Sequence, residues 1–129
     1  MLDVRLMGRF LVGIDGMAVD DRRWPRRSAK ALVKLLALAP AHTLHREQVI
    51  EQLWPDLGLD SATNSLDKAI HGARRALEPA LARGAQSRYL LTPRNQIILA
   101  APDVLRVDAL QFEQAAHLAL RQQDAAAAR

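Results

Sequence analysis

The chain has 129 residues, half of them hydrophobic, with a net charge of +4 and a pI near 10.3. That length suits one domain plus a short appendage. The lack of cysteine excludes disulfides, thiolate metal sites and cysteine nucleophiles. No apolar stretch is long enough to span a bilayer, and the first residues enter an alternating pattern with no secretory signal, so the expected setting is the cytoplasm.

Residues 4–14 alternate loosely (Val4, Leu6, Phe10, Val12, Ile14) and predict a strand. Asp15-Gly16 is a turn signal and residues 17–19 a short returning strand, so a hairpin opens the chain. Pro25, among arginines, breaks regular structure. Ser28 is the expected cap of a first helix running to about Ala39, where Pro40 stops it. Thr43-Leu44 is a brief extended link. A second helix runs from about Arg46 to Trp54, with Val49, Ile50 and Leu53 on one face, and Pro55 ends it. Residues 55–60 read as a loop. Ser61 or Thr63 then caps a third helix reaching Leu77 or Glu78. Residues 88–92 and 96–99 are β-prone, with Pro93-Arg94-Asn95 as the hairpin tip. Residues 107–124 read as a last helix, which divides the chain into a first domain over 1–105 and a helical segment over 106–129. Three helices followed by a β-hairpin is the winged-helix order. The expected fold class is α+β: a winged helix-turn-helix with an N-terminal antiparallel sheet, a three-helix core and a C-terminal β-hairpin wing.

Charge is unevenly spread. Residues 22–34 carry Arg22, Arg23, Arg26, Arg27, Lys30 and Lys34 with no acid, whereas residues 44–60 set Arg46 against Glu47, Glu51, Asp56 and Asp60. Such a distribution fits a polyanionic partner, and it also fits an ordinary solvated surface.

The third helix carries the functional argument. At about 100° per residue, Lys68, His71 and Arg75 fall close to Asn64, with Ser61, Ser65 and Gly72 flanking that stripe. Leu66, Ala69, Ile70, Ala73 and Leu77 fall opposite. The polar stripe suits the major groove of duplex DNA, where Lys and Arg donate to guanine and Asn bonds adenine in both directions. Asn64, Lys68, His71 and Arg75 are therefore the candidate base contacts. Ser61 and Thr63 near the helix start, with Arg27, Lys30, Arg46 and Arg74, are the candidate phosphate contacts. Thr92 and Arg94 are the wing candidates, Arg94 being placed to enter a minor groove or pair with phosphate. A solvated amphipathic helix would also show a polar face.

Residues 66–79, Leu-Asp-Lys-Ala-Ile-His-Gly-Ala-Arg-Arg-Ala-Leu-Glu-Pro, resemble the recognition helix of the OmpR/PhoB-type winged-helix family. More closely, the chain is similar to the SARP-type branch of bacterial transcriptional activators. That likeness rests on the opening strand over 4–8, Asp15-Gly16, residues 27–37, residues 45–55, Asn64-Ser65-Leu66 and residues 107–113. The resemblance implies binding to direct-repeat operators as tandem copies of a monomer, recruitment of RNA polymerase, and a tetratricopeptide-type helical activation domain beginning in residues 106–129. It also implies a polymerase-facing loop between the second and third helices, here with Asp56 and Asp60. The chain departs from the pattern at Gly72, where many relatives carry a base-reading arginine, and in the wing, which keeps Thr92 and Arg94 but lacks the usual glycines.

Other chemistries find little support. His42 and His45 lie three apart without a third ligand, which points to a capping or surface role rather than zinc. His117 stands alone on its predicted helix. No phosphate-cradling loop or nucleophilic triad is present, so no enzyme and no cofactor is expected. Trp24 and Trp54 read as packing residues. The alternative function is a winged-helix protein-interaction module that does not bind DNA. An RNA-binding domain is disfavoured by the scarcity of aromatic platforms.

Overall fold

In the computed structural model, which describes residues 1–7, 10–24, 26–82, 85–101 and 103–108, the apolar alternation at the start of the chain folds back on itself. β1 (Leu2–Arg5) and β2 (Leu11–Ile14) pair antiparallel, with Leu2 opposite Ile14 and Val4 opposite Val12. The one strand predicted over 4–14 is therefore two. The step of two continues through the reversal, so periodicity alone does not mark it. β3 (Met17–Ala18) returns across a turn in which Asp15 (φ 52°) and Gly16 (φ 82°) both have positive φ. Positive φ at both central residues is the type I′ requirement that favours Asp-Gly there.

A fourth strand, β7 (Leu105–Val107), lies parallel to β1 and completes the order β3-β2-β1-β7. The N-terminal sheet is thus mixed rather than antiparallel throughout, and β7 crosses the position expected for the domain boundary. A parallel partner must arrive over a long connection, and three residues leave no periodic signal. The helix expected over 107–124 lies, beyond Asp108, outside the described residues.

α1 (Arg27–Leu38) begins after Arg26, which is extended (φ −143°) and makes no side-chain cap bond. Ser28 is inside the helix rather than its cap. The helix stops as expected: Ala39 precedes Pro40 and is extended (φ −74°, ψ 150°), the conformation a following proline imposes. α2 (Arg46–Leu53) has the side-chain cap that α1 lacks. His45 Nδ1 accepts from the Glu47 amide at 3.1 Å, and Gln48 Oε1 accepts from the His45 amide at 2.8 Å. This capping box fills the capping role expected for His45. His42 Nδ1 lies 3.2 Å from the Leu36 carbonyl. α3 (Leu59–Leu77) starts after Gly58 with no side-chain cap. Neither Ser61 nor Thr63 caps it, because both are already helical, and Asp60 is in its first turn rather than in the loop. A reading based on Ser/Thr caps overlooks a glycine N-cap, which offers no side chain to recognise.

β5 (Leu90–Leu91) and β6 (Gln96–Leu99) form the wing. The extended link at Thr43-Leu44 is a strand, β4 (Thr43–His45), on the far side of β6, giving the order β4-β6-β5. The wing is therefore tied to the chain just before α2. Leu32 and Leu36 of α1, Leu66 of α3, and Leu90 and Ile97 of the wing are fully buried in one core with Leu2 and Val4 of the N-terminal sheet. Each such side chain contributes about 1.5–3 kcal/mol on burial. Trp24 is also buried, with its ring centroid 6.0 Å from that of Phe10, and Trp54 packs half-buried against the core.

Candidate nucleic-acid interface

α3 is as two-faced as its sequence predicts. Ala62, Leu66, Ala69, Ile70, Ala73, Ala76 and Leu77 are buried. Ser61, Asn64, Asp67, Lys68, His71 and Arg75 are exposed, and Thr63 and Ser65 are half-buried. Gly72, which helical projection sets at the edge of the polar stripe, is buried and so drops out of the exposed face, which keeps Asn64, Lys68, His71 and Arg75 with Ser61 at its flank. All four base-contact candidates thus share one exposed helix face. Two depressions border α3, and His71 and Arg74 line both. An open groove of about 740 Å³ borders His71, Arg74, Arg75 and Glu78, and one of about 210 Å³ lies between Arg46, Asp67, His71 and Thr92.

The phosphate candidates do not form one group. Arg27 is exposed at the start of α1, and Lys30 is half-buried one turn on. Ser61 is exposed in the first turns of α3, where amides lacking intrahelical partners favour anions. Arg46 is one-quarter exposed, and its Nη2 donates to Asp67 Oδ1 at 2.8 Å, joining the first residue of α2 to α3. Its backbone amide donates to the Asn95 carbonyl at the wing tip, also at 2.8 Å.

Arg74, expected to meet phosphate, instead turns inward. Its Nε and Nη2 both donate to the Leu90 carbonyl, at 3.1 and 3.0 Å, and Nη2 donates to Thr92 Oγ1 at 3.0 Å. Burial draws this guanidinium below its ordinary pKa, with Glu78 opposing the shift. The Glu78 carboxylate accepts from Ser87 Oγ (2.5 Å), the Arg88 amide (2.9 Å) and the Tyr89 amide (3.2 Å). Neither Glu78 nor Ser87 stands out in the sequence as a functional residue. Their only signals are an acid four residues after Arg74 and a serine beside the first β-prone run, neither of which is distinctive without the contact.

At the wing tip, Arg94 is exposed and has φ 55°, and the Gln96 amide donates to the Pro93 carbonyl at 3.1 Å. This is the left-handed conformation that a glycine would adopt without strain. Between α2 and α3, Asp56 and Asp60 are exposed beside Leu57 (45% exposed) and Leu59 (73% exposed).

This arrangement joins an exposed basic helix face to a hairpin fixed beside it, over a core of three helices. The model of the family described as transcriptional regulatory protein, C terminal, matches residues 26–96. The chain belongs to this family. It is a DNA-binding domain of a transcriptional regulator with the winged-helix fold. The matched region runs from the residue before α1 to the first residue of β6, so it contains the three helices and the wing tip, and the N-terminal sheet lies outside it. No curated protein and no solved structure matches the chain. Among the described residues, no helix is long and apolar enough to cross a membrane.

Proposed function

We propose that this domain reads a specific DNA sequence, with α3 in the major groove and the β5–β6 wing near the minor groove. The carrying observation is the exposed stripe of Asn64, Lys68, His71 and Arg75 on one face of α3. Amide, ammonium, imidazole and guanidinium groups in succession match the donor and acceptor pattern of base edges. Ser61, Thr63 and Arg27, with Lys30 and the outer part of Arg46, hold the flanking phosphates, and Arg94 meets the duplex from the wing tip.

The domain serves a cytoplasmic bacterial activator of the SARP type. It is monomeric alone, pairs in tandem on direct repeats, and is followed beyond β7 by an activation segment. Asp56 and Asp60 face RNA polymerase. The exposure of Leu57 and Leu59 between and beside them supports a protein contact there, since apolar side chains ringed by charge are the usual make-up of a docking patch.

The test is selection from a random duplex library, with affinity then followed against salt. Enrichment of a direct repeat with a steep salt slope is the expected result. Weak binding without an enriched sequence would leave the protein-interaction module as the better reading.

A further inference from the structure

β5 is an edge strand of two residues. The Tyr89 carbonyl accepts from the Ala100 amide at 2.8 Å and so points at β6. In an antiparallel strand the next carbonyl, that of Leu90, points the other way, off the edge of the sheet. Arg74 fills that position with two donors. The Leu90 amide is taken by Ser87 Oγ at 3.2 Å, and Ser87 is itself held by Glu78. The polar groups along residues 87–92 are thus met, directly or through Ser87, by two side chains one helical turn apart, at the C-terminal end of the same helix that carries the candidate base contacts.

We infer that Arg74 and Glu78 are positioning residues: they brace the wing against α3 so that helix and hairpin read DNA as one body. The inference rests on the proposed function for its consequence and on the hydrogen bonds alone for its geometry. Three features separate a brace from a phosphate contact. Two Arg74 donors converge on one backbone oxygen, leaving the guanidinium half-buried. Thr92 Oγ1 accepts from Arg74, which leaves the threonine hydroxyl hydrogen available for another acceptor; Arg74 therefore also orients a wing side chain. Glu78, an anion, cannot contact phosphate favourably, yet it holds the same segment.

The experiment has two readouts, the first needing no DNA. Residue-resolved amide exchange is compared in the natural chain, Arg74→Lys and Arg74→Met. Arg74→Met is expected to speed exchange at Leu90 and Leu91 about tenfold or more and to leave the middle of α1 unchanged. Arg74→Lys keeps the charge but cannot reproduce the forked donors, so it should recover only part of the protection. If Arg74→Met fails to fold, Thr92→Val, which removes one acceptor, and Glu78→Gln take its place.

The second readout is affinity for the selected duplex in a double-mutant cycle with Arg94→Ala. In the braced domain, Arg94→Ala weakens binding in the natural chain and has little further effect once Arg74 is Met, because the wing is already misplaced. Unchanged exchange at Leu90 and Leu91 would overturn the brace, and additive losses with the salt slope reduced by about one in Arg74→Met would make Arg74 a phosphate contact instead. If the natural chain binds no duplex at all, the proposed function fails while the exchange result still decides the brace.

Discussion

Arg74 and Arg75 are neighbours in the chain and lie in different surroundings. Arg75 is exposed on the polar stripe of α3, and Arg74 is half-buried against the wing. Arg75→Ala and Lys68→Ala are each expected to lower affinity for the selected duplex by about 1–3 kcal/mol and to relax preference at one base position, as seen by repeating the selection. An unaltered preference in both variants would remove these residues from the base-reading group. The exposed stripe was legible in the sequence because it depends only on helical projection. The fate of Arg74 was not, because it depends on which strand lies beside the helix. Arg94 offers a sharper test at this scale. Its φ of 55° strains a non-glycine residue, so Arg94→Gly is expected to stabilise the fold by up to about 1 kcal/mol while weakening DNA binding. Thermal melts and titrations moving in opposite directions would separate its backbone role from its charge; a fall in both would refute the strain argument.

Among the elements, α2 is the most dependent on its cap. It has eight residues and buries only Val49 completely, so little packing compensates for the loss of a terminal bond. His45→Ala is expected to lower stability by about 1 kcal/mol, with His45→Asn recovering most of the loss. Denaturant midpoints for the pair decide it, and equal midpoints for His45→Ala and the natural chain would count against the cap. The α2 and α3 stops were legible because prolines follow both helices: Trp54 and Glu78, the residues before Pro55 and Pro79, leave the helical region (φ −137°, ψ 59° and φ −132°, ψ 72°). The α3 start was not, since Gly58 caps without a side chain. In the sequence β4 looks like a link for a similar reason: three half-buried residues become a strand only through pairing with β6.

At the scale of the whole molecule, the N-terminal sheet ties the two ends of the described chain together. The Met1 amino group lies 2.6 Å from Asp15 Oδ1 and 2.7 Å from Asp103 Oδ2, linking the β2–β3 turn to the segment entering β7. The hydrogen bond to Asp103, then that to Asp15, raises the amino pKa from its ordinary 8.0, and the amino group lowers Asp103 from 3.8. A raised amino pKa stabilises fully below 8.0, and that contribution disappears as pH rises through the folded value. A lowered carboxyl pKa stabilises above 3.8, and its contribution disappears as pH falls through the folded value. The clip's contribution to the melting temperature is therefore expected to be largest between these limits and to decline on the alkaline side. Because the groups are exposed, the decline is small and fades with salt. Asp103→Asn should flatten it in low-salt melts; an unchanged alkaline limb would show that the clip contributes nothing. Nearby, the Asp108 carboxylate accepts from the Leu6 and Met7 amides at 2.7 and 3.2 Å, so the end of β7 also secures the chain where β1 finishes.

By itself the sequence determined the presence and stops of α1, α2 and α3, their apolar faces, the Asp15-Gly16 turn and the exposed stripe of α3. These follow from local periodicity, proline stops and turn chemistry, all of which act over a few residues. Only the tertiary structure decided that the first alternating run is two strands, that β7 lies parallel to β1, that β4 joins the wing sheet, and that Arg46 pairs with Asp67 while Arg74 and Glu78 hold residues 87–92. Short strands and long polar side chains take their partners from residues distant in the chain. Which partner is within reach is set by how the core brings those segments together.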